Sequence, residues 1–264
     1  MMLLAMAEVP GHSPTSDDAF FGGRFVIVQP RAGGHRGGTD ALLLAAGVPA
    51  GFAGRVVDLG AGAGTAGLAV AARCPAARVL LVENEPQMAA CARATLAHPA
   101  NRALKSRMGV LEANVALAGT ARRQAGLEEG MADFVIMNPP FNAPQDRASP
   151  DPLRRAARQM EEATFESWLR TAAAILRPRG RLALIARPAS LGAVLAALGR
   201  RFGSAEIRFV HPRAERAAIR FVLRAASGAR GAPVVMPPLV LHDENGFAPE
   251  ARAIHNGEAA LFRD

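Results

Sequence analysis

The chain has 264 residues, 50% of them hydrophobic, which suits one large α/β domain or two small ones and excludes a disordered chain. No apolar run reaches the roughly 18 residues a membrane helix needs; the longest candidate, residues 41–52, is broken by Gly47, Pro49 and Gly51. The net charge is +8 and almost all of it is arginine, Lys105 being the only lysine. That excess fits an attraction for nucleic acid, and the preference for arginine over lysine fits a GC-rich coding sequence equally well.

Residues 1–7 are apolar but short and lack a basic flank, so no secretory signal is expected. Residues 1–19 are polar and rich in Pro, Gly and Ser, and are expected to form a mobile tail, leaving 20–264 as a single domain. Residues 25–28 read as a strand, 31–38 as a Gly-rich turn, and 40–46 as a helix with Thr39 or Asp40 near its cap. A regular alternation follows. Strands are predicted at 55–59, 78–82, 108–111, 133–137 and 181–186, and later at 206–210 and 219–223. Helices are predicted at 66–73, 86–96, 165–176 and 191–200, with an insertion-like helix and loop over 113–130. Such alternation implies a mostly parallel sheet with helices on both faces, and the continuously apolar strands imply burial on both sides. Cys74 and Cys91 stand in no metal-like spacing and the six histidines form no ligand cluster, so a reducing, cytoplasmic setting without a structural metal is expected.

In a sheet of this kind ligands sit outside the carboxyl ends of the strands. Asp58, Glu83, Asn114 and Asn138 all fall at or just after predicted strand ends. Asp58-Leu59-Gly60-Ala61-Gly62-Ala63-Gly64-Thr65 joins a strand to a helix, and its glycines let a ligand approach the backbone. Glu83, at the end of the next strand, can accept hydrogen bonds from two ribose hydroxyls. Gly62, Gly64 and Gly67 also satisfy the dinucleotide fingerprint. Asp58, directly ahead of the loop, favours S-adenosylmethionine, because a carboxylate there suits a cationic amino acid portion and repels a pyrophosphate.

Asn138-Pro139-Pro140-Phe141 follows a buried strand. Two prolines cannot continue a sheet and force a rigid corner at its ligand-facing end. An exocyclic amine or amide nitrogen is a poor nucleophile because its lone pair is delocalised. The Asn138 side-chain oxygen and the Pro139 carbonyl can accept its two hydrogens and aim the lone pair at a methyl donor, while Phe141 stacks on the flat group.

The glycine loop with Asn138-Pro139-Pro140-Phe141 resembles the class I methyltransferases that act on nitrogen. More closely, it is similar to the bacterial tRNA adenine-N6-methyltransferases that modify an anticodon-loop adenosine of a valine tRNA. Gly38-Thr39-Asp40, the 24–36 segment and the end of the chain from Leu239 to Ile254 carry the narrower likeness. The resemblance implies a Rossmann-like sheet of seven strands with the last one antiparallel, S-adenosylmethionine as cofactor, and tRNA as partner. It implies that Thr39, Asp40, Asp58, Gly60, Gly62, Gly64 and Glu83 serve the cofactor, and that Asn138, Pro139 and Phe141 take the target base. Where the family often has Asp after the third strand, this chain has Asn114, whose amide oxygen can accept the adenine amine; Glu112 is the alternative in a shifted register. Arg36, Arg147, Arg154, Arg155 and Arg158 are candidates for gripping RNA phosphates, Glu161 and Glu162 favouring a solvated helix face instead. A protein glutamine-N5-methyltransferase would use the same corner on a side-chain amide, but the roughly 50 residues before Val56 look too short and strand-like for its helical N-terminal domain. DNA adenine methylation would want a target-recognition region that is not evident. A non-catalytic RNA-binding protein on this fold is opposed by Asp58, Asn138 and Phe141. A nicotinamide dehydrogenase lacks a proton relay at the corner.

Overall fold

A computed structural model describes residues 14–31, 37–140 and 151–263. The elements run, in order, β1 (Thr15–Phe20), β2 (Phe25–Pro30), α1 (Thr39–Ala46), β3 (Gly54–Leu59), α2 (Thr65–Arg73), β4 (Ala77–Glu83), α3 (Pro86–Ala97), α4 (Arg102–Lys105), β5 (Met108–Glu112), α5 (Gly119–Gln124) and β6 (Ala132–Met137). They continue with α6 (Asp151–Ile175), β7 (Leu176–Ala186), α7 (Leu191–Leu198), β8 (Phe202–His211), β9 (Arg220–Ser227), β10 (Val234–Val235), β11 (Leu239–Val240), β12 (His242–Asp243), β13 (Gly246–Phe247) and α8 (Pro249–His255).

Seven strands form the body of the main sheet in the order β8-β9-β7-β6-β3-β4-β5. All are parallel except β9, which lies antiparallel between β7 and β8. This is the class I methyltransferase arrangement. β10 and β11 add to the outer edge of β8 in parallel, making nine strands in all. The central strands are apolar on both faces, and their side chains alternate between two cores. Val56, Phe134 and Ile136 face the layer of α1 and α2. Val57, Val135 and Met137 face Phe165 and Leu169 of α6.

The chain winds outward from β3 through β4 to β5, then returns to place β6 on the other side of β3. That reversal opens a crevice between the carboxyl ends of β3 and β6. Leu59 and Met137 are register partners, so Gly60 and Asn138, one residue further on, emerge side by side at its mouth.

Several boundaries differ from the sequence expectation. Thr15–Phe20 is a strand and not part of a tail: it pairs antiparallel with β2 from Thr15↔Pro30 to Phe20↔Phe25. The hairpin turns at Phe21–Gly23, with Phe20 stacked on Phe25 at 5.5 Å. Its β2 strand is held by buried polar side chains, the Val28 amide donating to Thr95 Oγ1 (2.9 Å) and the Val26 amide to Asn101 Oδ1 (2.9 Å). α6 begins at Asp151, well ahead of Phe165, because residues 159–164 contain no breaker. The Arg177-Pro178-Arg179-Gly180 segment is a bulge inside β7, with the register shifting after Ala132↔Leu176 and Arg179 at φ 64°.

Much of the positive charge is structural. Arg107 donates to the carbonyls of Ala71 (3.0 Å), Cys74 (3.3 Å) and Ala77 (2.8 Å). Buried Arg208 bonds the carbonyls of Pro237 (3.0 Å) and Leu261 (2.6 Å) and the Glu250 carboxylate (2.8 Å), fastening the C-terminal segment to β8. Arg224 pairs with Glu206 (2.8 Å) and lies over the Phe262 ring. No helix among the described residues is long and apolar enough to cross a membrane.

Candidate active site

Asp58 sits in the last turnings of β3, 2% exposed, and its Oδ2 accepts the Gly67 amide of α2 at 2.9 Å. The carboxylate thus ties strand to helix across the loop. Burial pushes its pKa up to about 7, with a smaller push from Glu83 and a partial counterweight from the Gly67 bond. Between them the loop amides turn back onto the neighbouring strand end. Gly60 and Ala61 donate to the Val82 carbonyl, each at 2.9 Å, and Gly62 donates to Glu83 Oε2 at 2.7 Å. Glu83 Oε1 takes the amides of Asn84 and Glu85, each at 2.8 Å. Three backbone N–H groups therefore fix this carboxylate before any ligand arrives. Gly60 has φ +70°, and a Cβ there would lie 2.4 Å from the Trp168 ring of α6. Glycine is required on both counts.

Across the crevice, Pro139 is buried and Pro140 exposed, so the chain leaves β6 at the Asn138 corner. The Asn138 Oδ1 atom is buried and accepts no hydrogen bond. A buried unpaired acceptor costs about 1–3 kcal/mol, and functional sites are where such costs are retained. Glu83, Asn114, Asn138, Pro139, Pro140 and Trp168, with the backbones of Gly60 and Gly62, line a cleft of about 580 Å³. A narrow annex of about 40 Å³ continues behind it, bounded by Asp58, Gly37, Thr65 and Asn138. Buried Gln29 holds one wall of the annex, accepting the Gly37 amide at 2.9 Å and donating to Asp18 of the hairpin.

Residues 37–209 match the family model of the methyltransferase small domain, more than half of the chain. The chain belongs to the methyltransferase small domain family. Within that family's reach, a tRNA1(Val) (adenine(37)-N6)-methyltransferase of Porphyromonas gingivalis is 35% identical over 157 residues, 57% of this chain and 58% of the relative. The match thus spans little more than half the length of that curated relative. A solved structure described as a predicted O-methyltransferase from Agrobacterium tumefaciens is 41% identical, with a TM-score of 0.75, covering 85% of this chain and 99% of that one. A 16S rRNA N2 G1207 methyltransferase of T. thermophilus, solved with AdoMet and guanosine, shares the fold at 20% identity and a TM-score of 0.51, over 84% of this chain and 52% of its own.

In this member of the methyltransferase small domain family the structure brings Asp40, Gly60, Gly62, Glu83, Asn114, Asn138 and Pro139 to one cleft and Asp58 to its annex. Asn114 rather than Glu112 lines the cleft. Glu112 is paired with Arg93 at 2.6 Å, while Asn114 Oδ1 accepts the Ala116 amide at 2.8 Å. Gly64 and Thr39 do not line it. Gly64, at φ +96°, caps α2, and a Cβ there would meet Leu81 at 2.7 Å, so packing as well as conformation calls for glycine there. Thr39 is exposed at the start of α1. Phe141, Arg36 and Arg147 lie outside the described residues; Arg154, Arg155 and Arg158 fall in the first turns of α6, with their side chains outside the description. Sequence reasoning missed Trp168, Met88, Arg187 and Arg220, which also line the cleft. Trp168 carried one signal, being the only tryptophan. Arg220 carried none: its partner Asp40, 2.8 Å away, is distant in the chain. Among the described residues no group of three or more His, Cys, Asp or Glu side chains is placed to hold a metal ion.

Proposed function

We propose that this chain is an S-adenosylmethionine-dependent N-methyltransferase that methylates N6 of an adenosine in tRNA. The observation that carries the reading is the buried, unpaired Asn138 Oδ1 at the mouth of the crevice. An amino group with two hydrogens supplies what that atom lacks.

The residues fit the cofactor. Glu83, locked by three amides, presents carboxylate lone pairs for two ribose hydroxyls. Gly60 and Gly62 offer backbone without side chains. Asp58, in the annex beside Asn138, suits a cationic amino group, whose charge favours the ionised carboxylate that burial otherwise opposes. Asn114 lies on the wall where the cofactor's adenine would rest. Bound there, S-adenosylmethionine supplies an electrophilic methyl group. The chain's own part is positioning: Asn138 Oδ1 and the Pro139 carbonyl accept the two amine hydrogens, reduce conjugation of the nitrogen lone pair, and point it into the annex. The target base must leave its stack to reach the corner. The family relative from Porphyromonas gingivalis supports adenosine N6 in a tRNA as the acceptor.

The name of the Agrobacterium relative raises transfer to oxygen. A hydroxyl has one hydrogen and needs a base, and an amide oxygen cannot take a proton at neutral pH, so Asn138 favours nitrogen. A protein glutamine amide would fit the same acceptor pair and is the second reading.

The test is transfer of tritiated methyl from S-adenosylmethionine to bulk tRNA from a strain lacking this protein, with Asn138→Ala as control. Label that digests to N6-methyladenosine and is lost in the variant is the expected result. Label absent from tRNA but present on a protein glutamine would establish the second reading instead.

A further inference from the structure

The cleft has a basic side that the reaction above does not use. β7 ends at Ala186, which pairs with Phe221 of β9, so Arg187 and Arg220 emerge next to each other at the carboxyl end of the sheet. Both line the same cleft as Asn138. Arg220 is aimed rather than loose: its Nε donates to Asp40 Oδ2 at 2.8 Å and its Nη1 to the Ile219 carbonyl at 2.8 Å. From this point the hairpin loop between β8 and β9 continues outward and carries Arg213 and Arg216, both exposed, against one carboxylate, Glu215.

That loop is preorganised. His211 Nδ1 meets the Arg216 carbonyl at 2.7 Å, the Arg216 amide donates to the Arg213 carbonyl at 3.1 Å, and the His242 amide donates to the Pro212 carbonyl at 3.1 Å. Arg213 Nη1 reaches the Asp243 carbonyl at 3.3 Å. Elsewhere in the molecule exposed arginines such as Arg55, Arg93, Arg123 and Arg177 make carboxylate pairs. Among the described residues Arg213 and Arg216 make no such pair. A rigid loop that holds two guanidinium groups clear of carboxylate partners, in line with two more in the cleft, is a track for phosphates.

Resting on the RNA reading, we propose that the substrate's backbone crosses the enzyme over the β7–β9 end of the cleft. Arg187 and Arg220 contact phosphates flanking the target nucleotide, and Arg213 and Arg216 contact those further along. Asp40 is a positioning residue that holds the Arg220 fork. This places the RNA interface on the β8–β9 hairpin side of the sheet.

The experiment is a salt titration of affinity for unmodified tRNA, in the presence of S-adenosylhomocysteine, for wild type, R187Q/R220Q, R213Q/R216Q and a control pair, R78Q/R102Q. Arg78 and Arg102 are exposed at the opposite end of the sheet. Each lost single-strand phosphate contact lowers the slope of log affinity against log salt by about 0.7, so each test pair should flatten it by about 1.4 and weaken binding about 25-fold at ~0.1 M salt. The control pair should leave the slope unchanged, and Trp168 fluorescence should report unaltered cofactor binding in it and in R213Q/R216Q. R213Q/R216Q touches neither the cleft nor the Asp40 pair, so its slope stays informative if R187Q/R220Q folds poorly. Wild-type slopes in both test pairs, with tRNA still methylated, would overturn this inference alone. A wild-type protein that binds no tRNA would overturn both it and the reading it rests on.

Discussion

Asn138→Ala should separate catalysis from stability, because the structure assigns the side-chain oxygen no partner in the folded chain. In the free enzyme Asn138 Oδ1 is buried and unsatisfied, a condition that costs about 1–3 kcal/mol. Truncation relieves that cost and forfeits some packing at a half-buried position, terms of similar size and opposite sign. The net change should lie within about 1 kcal/mol, which for a domain of this length is a melting shift of about 2–4 °C. Turnover behaves differently. Losing one preorganised polar contact to the reacting group typically lowers kcat about 10²–10³-fold. The assay is single-turnover methyl transfer beside a thermal melt and a cofactor titration by Trp168 fluorescence. A variant that melts many degrees lower, or one that keeps turnover within a few-fold of wild type, would refute the argument and make Asn138 a structural corner.

Four other outcomes are expected. Asp58 has its folded pKa raised from 3.8 to about 7, so the native state retains a proton that the unfolded chain has released; stability of the ligand-free protein should fall as pH rises from about 4 to 7 and then level off, and Asp58→Asn should flatten that window in urea titrations. Because a cationic ligand favours the carboxylate, cofactor binding near pH 6 should take a proton off Asp58, seen by calorimetry in buffers of different ionisation enthalpy and absent in Asp58→Asn. Gly60→Ala places a Cβ 2.4 Å from Trp168 at φ +70° and should abolish cofactor-dependent fluorescence change, with a loss of about 1–3 kcal/mol in stability. Arg208→Ala removes a buried guanidinium from the Pro237 and Leu261 carbonyls and from half-exposed Glu250 and should cost about 1–3 kcal/mol by denaturant unfolding, with cofactor affinity little changed in the folded fraction.

The sheet and the central corner of the site were legible because both follow from local rules. Continuous apolar runs marked β3, β4 and β6, and the two prolines after Met137 could only be an exit from a buried strand. Residues gathered by chain reversal were less visible. Asp40 was suspected from its neighbours in sequence, but its partner Arg220 starts the last long strand and enters the cleft only because β9 lies between β7 and β8. Trp168 reached Gly60 through the packing of α6, which no periodicity in the 151–175 segment specifies. The hairpin partner of β2 was missed because Thr15–Phe20 is polar: its alternating exposure reflects pairing with one strand over α3 rather than burial in the sheet. Gly64 shows the converse ambiguity, since a glycine that packs on Leu81 looks in sequence the same as one that faces a ligand.

The arginine clamps have a consequence for behaviour in alkali. Arg107, Arg208 and Arg224 hold carbonyls and carboxylates across the molecule through guanidinium groups that stay charged wherever a protein remains folded. The chain has no tyrosine and only Lys105 among lysines, which leaves the free, buried cysteines and that one lysine as the groups that change charge in moderate alkali, with burial pushing the Cys91 thiol up. Loss of stability in alkali should therefore come chiefly from the buried Cys91 thiol, which the unfolded chain ionises at a lower pH than the folded one.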